Sequence, residues 1–437
     1  MKRLVFALFA LMTASTFMLY ADEALEKVRT ITVDDAVILA ADNNVTLKRQ
    51  RISLETLERR NKTAWNGVSP SVSVSGNLGV PLNGLVTEME AKQKYTYGLG
   101  ASVNLSLTPS LYTSIKDASL KYESGKTSYE DYVRQIELNV RKLFYNLLYT
   151  KESLAYQKRN METAKIRYEN NRDKYNRGQL SELNLLQSQY SYESLRPTIE
   201  SAEISYQNSI ASFKQLLGIP QNEKIELSGT LSDAIPPDSF TISKTVEDLP
   251  SVKKIEASIA QQKNSLLSTR FTAYGPSITA GYSWGLNGND KTDDLKKAQE
   301  NHSLSFGVRI PLDGLLPWSS GSQSIENQKA TLKDLELQLE NEKTTAALSI
   351  QNSMKTILQM QSQLDMLDQN IQIAQKAYDM ALTSYNHGSS DLLTLQNASD
   401  SLLKSRLDRE SHINKLISTV LDFEYTLGIP FGSLVSE

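Results

Sequence analysis

The chain has 437 residues and a nearly balanced charge, with 47 basic and 50 acidic side chains, so no broad basic field favours a nucleic-acid partner. It contains no cysteine, which excludes disulfides, thiolate metal sites and a cysteine nucleophile. Its 20 glycines and 12 prolines are too few for a disordered or collagen-like chain. Composition therefore favours a folded protein that does not bind nucleic acid.

The first 21 residues have the layout of a secretory signal peptide. Lys2 and Arg3 precede an apolar run, and Ala21 stands before two acidic residues. The alternative is an uncleaved membrane anchor, because the apolar run is about as long as a short membrane helix. After residue 21 no apolar run approaches the roughly 18–20 residues that such a helix needs. We therefore expect a mature chain that leaves the cytoplasm and has no α-helical membrane anchor.

One pattern occurs twice in the chain: a Tyr-Asn-X-Gly segment, a helical run and a closing Gly-Ile-Pro segment. The first glycines of the two copies, Gly178 and Gly388, are 210 residues apart, and so are the closing glycines, Gly218 and Gly428. Glycine is favoured just after the end of a helix. The pattern therefore predicts a duplicated helical hairpin whose tips lie at Gly178 and Gly388.

The duplication predicts two structural repeats, 22–218 and 249–437. Each repeat is expected to contain a helix, two strands and a long helical hairpin. Residues 219–248 join the repeats and hold three prolines among mixed polar residues. We interpret them as a connector that lies against the helices and not as a flexible linker.

Apolar and small polar residues alternate in two segments of each repeat, as in half-exposed β-strands. The segments are about 71–80 and 95–107, then 277–286 and 303–312, with polar loops at 81–94 and 287–301. A strand of about ten residues is long enough to cross an outer membrane at a tilt. A soluble sandwich is the alternative, but four strands form too small a sheet to bury the rest of the chain. We therefore predict transmembrane strands.

The hairpins are predicted to be very long. Residues 110–177 contain no proline, and at about 1.5 Å per residue they would span on the order of 100 Å. A second such helix is predicted at 322–387, and the return helices are expected to end at Leu217, with a kink near Pro197, and at Leu427. A helix of this length cannot be buried inside a globule of this size. Such helices pack in a bundle or in the wall of a tube.

The N-terminal part is predicted to be helical from Thr32, whose hydroxyl can cap the helix, with Asp35 as the acidic half of a capping box. This helix is expected to run to about Asn66, before Gly67 and Pro70 end it. The pair Asn43-Asn44 offers a point at which it can break.

An open four-stranded sheet in a membrane would leave two unpaired edges, at a cost of several kcal/mol per unsatisfied group. Closure with copies of the chain removes the edges, and three copies give twelve strands, an even number within the range of outer-membrane barrels. Small polar residues would then line a water-filled lumen. Arg309, the charged residue of the polar face, is expected to face the lumen, with snorkelling to the membrane interface as the alternative. The function that follows is a passive conduit.

The predicted chain begins with a signal peptide, and then a helix, two strands and a long hairpin occur in this order twice. This order resembles that of the TolC family of outer-membrane factors. The Pro-Ser strand starts at Pro70 and Pro276, the tips at Gly178 and Gly388 and the Gly-Ile-Pro hairpin ends carry this likeness. The resemblance covers essentially the whole mature chain. It implies a mixed α and β membrane protein in which a homotrimer forms a 12-stranded β-barrel in the outer membrane, continuous with a periplasmic α-helical barrel.

The resemblance also implies partners and a site. The chain would be the exit duct of a tripartite efflux or type I secretion system, in contact with outer-membrane lipid, a periplasmic adaptor (membrane fusion protein) and an inner-membrane pump. The adaptor would dock at the hairpin tips, on Arg177, Gly178, Gln179, His387, Gly388 and Ser389. A gate would lie beside them, with the candidates Tyr175, Asn184, Tyr385, Ser390, Asp391 and Thr394.

The tyrosines of the family's gate are matched in this chain, but its charges are not. Asn184, Ser390 and Thr394 stand where the family has an aspartate, an arginine and an acidic residue. The sequence therefore gives no support to a cation-binding ring or to a gate held by charges. Asp391 is interpreted mainly as a helix cap, with a place in a polar constriction as the alternative.

No residue pattern favours catalysis, a metal or a cofactor. His302, His387 and His412 have neither metal-ligand nor catalytic spacing, and no phosphate loop or nucleophile motif occurs. We therefore predict that the protein is not an enzyme. The rival interpretation of the whole chain is a periplasmic coiled-coil scaffold or binding protein without a pore.

Overall fold

The computed structural model describes residues 28–80, 95–237, 244–289 and 298–435, so the predicted signal peptide at 1–21 and the predicted loop at 81–94 lie outside it. The first half of the chain holds β1 (Arg29–Ile31), α1 (Val33–Asn43), α2 (Val45–Lys62), β2 (Ser71–Gly79), β3 (Thr96–Leu107), α3 (Ser110–Asn176), α4 (Glu182–Glu193) and α5 (Leu195–Leu217). The second half holds β4 (Ile225–Leu227), α6 (Pro250–Tyr274), β5 (Ser277–Asn289), β6 (Gln299–Arg309), α7 (Ser320–Asn386) and α8 (Leu392–Leu427).

Four strands form one antiparallel sheet in the order β2-β3-β5-β6, with β2 and β6 at its edges. One row of paired residues across all four strands is apolar and consists of Val72, Val103, Tyr282 and Leu304. The neighbouring row is serine on every strand and consists of Ser73, Ser102, Ser283 and Ser303. Because successive side chains of a strand point to opposite faces, one face of the sheet is apolar and the other is lined by small polar groups.

The last strand lies earlier in the chain than the sequence pattern predicts. β6 spans Gln299–Arg309 and not 303–312. Pro311 has no N–H group for a sheet hydrogen bond, so the alternating residues that follow Arg309 do not extend the strand. The predicted end of this strand is therefore wrong by three residues.

Polar pairs extend the β5–β6 ladder into the loop that was predicted at 287–301. The Tyr282 hydroxyl lies 2.8 Å from Nδ1 of His302, and the indole N–H of Trp284 donates to Oε1 of Glu300 (2.7 Å). The bond from Trp284 to Glu300 supports the pairing of β6 from Gln299 onward, whereas the last residues of β5, up to Asn289, pair with Tyr97 and Thr96 of β3. Hydropathy alternation does not detect such pairs, and the predicted loop is too long for this reason.

The two long helices, α3 and α7, contain 67 residues each and span about 100 Å. The return helix of the first hairpin is broken at Ser194 into α4 and α5. The break lies three residues before Pro197, which has no N–H to donate to the preceding turn. α8 has no proline and is continuous. Across the described ranges, no helix combines the length and the hydropathy that crossing a membrane requires.

The N-terminal helix is divided where the two asparagines stand. Thr32 caps α1 in a capping box with Asp35, and the side-chain oxygen of Asn44 caps α2. The side-chain amide of Asn44 also donates to the carbonyl of Leu216 (2.8 Å), which ties this turn to the end of α5. Beyond α2 the helical path continues only as a short 3₁₀ turn, and the predicted end at about Asn66 falls inside that turn.

A small parallel sheet, which the sequence pattern did not predict, lies beside the middle of α3. β1 pairs with β4, placing Ile31 opposite Leu227. Both side chains are buried in one cluster with Phe144 of α3 and Phe213 of α5. Strands of three residues are too short to show an alternating pattern in the sequence. They are recognised from their pairing and from the burial of their side chains in the structure. Through β4 the connector between the repeats packs against the helices.

We expect Gly218→Ala to destabilise the protein more than Gly178→Ala. Both glycines follow a helix with positive φ (70° and 72°), so alanine costs roughly 1–2 kcal/mol of backbone strain at either site. An added Cβ at Gly218 would lie 2.6 Å from the carbonyl oxygen of Asn43, which adds on the order of 1–3 kcal/mol. At Gly178 nothing lies within 4 Å. Thermal unfolding measures the difference, and equal losses of Tm would contradict the close approach at Asn43.

Candidate functional site

The two hairpin tips are built by the same backbone turn. In each, the glycine N–H donates to the carbonyl of the tyrosine three residues earlier, at 2.8 Å from Gly178 to Tyr175 and 3.0 Å from Gly388 to Tyr385. The residue after each glycine donates to the carbonyl five residues before it. This Schellman arrangement needs a left-handed residue, and φ is 72° and 74° at the two glycines. The turn itself therefore favours glycine at this position.

The six residues predicted to receive an adaptor all lie in these two turns and are exposed: Arg177, Gly178, Gln179, His387, Gly388 and Ser389. Two of their side chains bond back to the helix that they end. Nε of Arg177 donates to the carbonyl of Asp173 (3.2 Å), and Oγ of Ser389 donates to the carbonyl of Ser384 (3.0 Å). The tips are therefore short turns in which side chains hydrogen-bond to the backbone of the preceding helix.

Each return helix begins with a side-chain cap next to the tip. Oγ of Ser181 accepts the N–H of Asn184 (3.3 Å), and Oδ1 of Asp391 accepts the N–H of Thr394 (2.8 Å). Hydrogen bonds from the side chain and backbone of Thr394 hold the pKa of Asp391 below its ordinary value. An ionised carboxylate is also favoured by the positive end of a helix dipole. Asp391 is therefore a helix cap, as predicted.

Tyr385 is the gate candidate that contacts the other hairpin. Its hydroxyl donates to Oδ1 of Asn171 on α3 (3.0 Å), and Asn171 is 1% exposed. Tyr175, its counterpart in the first tip, is 38% exposed, and among the described residues its hydroxyl has no hydrogen bond. The side chains of Asn184 and Ser390 form no such bridge in the described part of the chain. Of the two matched tyrosines, Tyr385 is the one that links the two hairpins within the described part of the chain.

The contact between the two hairpins changes character along its length. Beside the middle of α3 it is an apolar cluster that includes Phe144, Leu147, Ile413 and Ile417. Toward the tips, polar contacts join the hairpins beside isolated buried leucines such as Leu395: Asn160 with Ser399 (3.1 Å), Ser191 with Gln396, and Asn171 with Tyr385. A polar contact can be replaced by water at a small net cost, whereas separating an apolar cluster loses its burial. The tip end therefore depends more on hydrogen bonds than the middle does.

Sequence reasoning did not identify Asn171, because an asparagine on a long helix is ordinarily exposed. It lies seven residues after Ala164, which is also buried, and seven before Gly178. Residues seven apart share a helix face, so heptad spacing from a buried alanine was the signal that could have found it. Nδ2 of Asn171 is buried without a hydrogen-bond partner among the described residues.

Arg309 is the last residue of β6 and is exposed. It lies six residues after Ser303 on the same strand, so it shares the polar face with the serine row. Its partner across the ladder is Ser277, whose hydroxyl donates to the carbonyl of Arg309 (3.4 Å).

In the described part of the chain, no three histidine, cysteine or acidic side chains gather in a way that could hold a metal ion.

The chain matches the family model of outer membrane efflux proteins over residues 37–219 and 241–412. Its fold resembles the CmeC outer membrane channel of Campylobacter jejuni, at 18% identity and a TM-score of 0.73, over 91% of this chain and 85% of that one. It also resembles VceC of Vibrio cholerae (13%, 0.70, 91% and 96%) and the open MtrE channel of Neisseria gonorrhoeae (16%, 0.70, 91% and 89%). No curated protein sequence matches the chain.

At these identities the solved structures establish the likeness of fold, a mixed α and β architecture with long helical hairpins and a strand sheet. The family match covers most of the chain and independently agrees with the duplicated pattern of hairpins and strands. The chain therefore belongs to the outer membrane efflux protein family and is a channel of the outer membrane that extends into the periplasm, not an enzyme.

Proposed function

We propose that three copies of the chain form the exit duct of a tripartite efflux or type I secretion system. The three sheets close into a 12-stranded barrel in outer-membrane lipid, and the helical hairpins form a tube through the periplasm. A periplasmic adaptor and an inner-membrane pump deliver substrates to the tips. The duct itself is passive, and the pump selects the substrate.

The strand sheet is the observation that carries this proposal. Its apolar face is open in the single chain, with Val74, Phe306 and Leu304 exposed by 81%, 77% and 67%. An exposed apolar face with two free strand edges favours aggregation in water. In the membrane, lipid covers the apolar face and neighbouring copies of the chain pair with both edges, so neither is exposed to water. The serine row then lines a wet lumen, with Arg309 facing it at the end that joins the helices.

The tips are the proposed periplasmic entrance. The six exposed residues around Gly178 and Gly388 receive the adaptor, and the bond between Tyr385 and Asn171 holds the entrance closed. The entrance is narrowed by the other gate candidates, which are Tyr175, Asn184, Ser390, Asp391 and Thr394. The polar contact between the hairpins supports this role, because hydrogen bonds can exchange with water when the tips separate.

The test is to extract the full-length protein from outer membranes in detergent and measure its mass by light scattering, then its conductance in planar bilayers. We expect a trimer that gives discrete, small openings, because closed tips limit the flow. A soluble monomer released from the periplasm would overturn the proposal in favour of a coiled-coil scaffold. A trimer without conductance, even after Tyr385 and Tyr175 are replaced by alanine, would overturn the gated duct.

A further inference from the structure

We propose that the connection between β6 and α7 inserts apolar side chains into the periplasmic leaflet of the outer membrane. Residues 310–318 of this connection are called the junction segment. The segment anchors each chain to phospholipid beside the barrel, at the boundary between headgroups and acyl chains. The inference rests on the proposed function, in which the sheet forms a barrel in the membrane, and it adds a second lipid-binding surface outside the strands.

The junction segment continues the apolar face of the sheet beyond the end of β6. Every second residue of that strand from Leu304 to Val308 is apolar and exposed. The strand ends at Arg309, but five large apolar side chains, exposed by 42% to 82%, follow it: Ile310, Leu312, Leu315, Leu316 and Trp318. A contiguous apolar patch of this kind marks a surface that contacts a membrane or another protein.

The second repeat has additional residues in this segment. In the first repeat, two residues join Leu107, the end of β3, to the start of α3. In the second repeat, seven residues separate the matching Leu312 from the start of α7. The longer stretch contains the exposed side chains of Leu315, Leu316 and Trp318. The turn from strand to helix does not need these side chains, because the first repeat makes it without them.

The backbone of the junction segment is held by a turn and by packing on α6. The N–H of Leu315 donates to the carbonyl of Leu312 (3.0 Å). Gly314 is buried against the ring of Tyr274 at the end of α6, where an added Cβ would collide with that ring. The segment is therefore fixed at its backbone while its apolar side chains stay exposed.

The ring that supports the segment lies on the side of α6 opposite to a polar recess. Arg270 and Tyr274 are four residues apart and share one side of the helix, whereas Thr272, two residues from each, is on the other. Thr272 lines an open recess of about 770 Å³ between α3, α6 and α7, and eight of its fifteen lining residues are serine or threonine. Such a lining suits water, as the serine row of the sheet does. The junction segment therefore packs on the side that continues the lipid-facing side of the sheet.

The composition of this surface matches the boundary of a phospholipid leaflet. Tryptophan and tyrosine are enriched where headgroups meet acyl chains, and Trp318 and Tyr274 are both exposed here, by 82% and 40%. Arg270, one turn before Tyr274, is exposed and has no ion pair among the described residues, so its guanidinium is available to a lipid phosphate. Aromatic, aliphatic and cationic groups on one surface favour phospholipid as the partner.

The experiment observes one tryptophan at a time in a bilayer. The chain has three tryptophans, and the variant Trp65→Phe/Trp284→Phe keeps Trp318 alone. The control, Trp65→Phe/Trp318→Phe, keeps Trp284, which lies two residues after Tyr282 on the apolar face of β5. The full-length proteins are reconstituted into vesicles of phosphatidylethanolamine and phosphatidylglycerol, with or without bromine on the acyl chains near the headgroups. Quenching of tryptophan fluorescence by bromine measures contact with lipid.

We expect bromine to remove most of the fluorescence of Trp318, as it does that of Trp284, because bromine near the headgroups lies at the depth of an interfacial tryptophan. If a variant loses its trimer mass, Leu315→Cys in the otherwise natural chain replaces it. The chain contains no cysteine of its own, so an environment-sensitive dye on this one thiol reports the same contact with the tryptophans intact.

Two results would overturn the inference while leaving the proposed function intact, and both combine a quenched Trp284 with an unquenched Trp318. In the first, acrylamide in the water quenches Trp318, which places the segment in solvent. In the second, neither quencher reaches Trp318, which places the segment against a neighbouring copy of the chain. If bromine quenches neither tryptophan, the sheet is not in the membrane, and the proposed function fails together with the inference.

Discussion

Replacing Leu304 with lysine is expected to prevent stable assembly in the outer membrane. Leu304 is the middle residue of β6, and it lies on the apolar face opposite Tyr282. A lysine at the lipid-facing midplane of such a barrel costs about 2–4 kcal/mol, and a trimer would carry three of them, on the order of 10 kcal/mol in total. This is comparable with the whole stability of a typical domain. Density-gradient separation of membranes, followed by electrophoresis of unheated samples, measures the surviving trimer.

The matched control is Ser303→Lys, one residue earlier on the same strand. Ser303 belongs to the serine row, so its side chain lies on the opposite face. A lysine there is expected to extend into the wet lumen and to leave most of the trimer intact. If Ser303→Lys were as damaging as Leu304→Lys, or if Leu304→Lys assembled normally, the assignment of the two faces would be wrong.

Replacing Tyr385 with phenylalanine is expected to raise the open probability of the channel strongly. The change removes the hydroxyl that donates to Asn171 and keeps the aromatic ring. A hydrogen bond of this kind contributes about 1 kcal/mol, and if the three tips of a trimer move together the closed state loses about 3 kcal/mol. Since each 1.4 kcal/mol is a factor of ten, the ratio of open to closed channels would rise by about a hundredfold. Single-channel recording in planar bilayers measures this ratio.

Tyr175→Phe is the matched control, because Tyr175 occupies the same place in the first tip but does not bond to the other hairpin in the described structure. It is expected to change the open probability by less than about threefold, corresponding to well under 1 kcal/mol. Equal effects of the two changes would show that a property shared by both tyrosines, and not the bond to Asn171, controls the tips.

Much of the architecture could be predicted because the same pattern of helices, strands and hairpins occurs twice in the chain. The glycines at 178 and 388 mark the tips, and the alternating residues mark the sheet, since period-two patterning over ten residues is rare by chance. The family assignment and the outer-membrane channel function predicted from these patterns are confirmed by the family match. Pro197 likewise predicted the break between α4 and α5, because its missing N–H acts locally.

The features that the sequence did not predict depend on partners distant in the chain. β1 is a strand because β4, nearly two hundred residues later, pairs with it. Glu300 and His302 extend β6 because Trp284 and Tyr282 bond to them across the ladder. Asn171 is buried because Tyr385 meets it from the other hairpin. In each case the residue itself has weak or opposite local preferences, and a tertiary contact decides its state.

The pairing of β3 with β5 joins the second strand of one repeat to the first strand of the next within a single chain. In a closed ring of three chains, β6 would meet β2 of a neighbour, which again joins a second strand to a first. The ring would then have pseudo-sixfold symmetry, with six hairpins and six similar seams, three inside chains and three between them. Because each chain holds two repeats, three chains would form a wall of six similar units. Each chain would already contain, between β3 and β5, one example of the strand pairing that it forms with its neighbours.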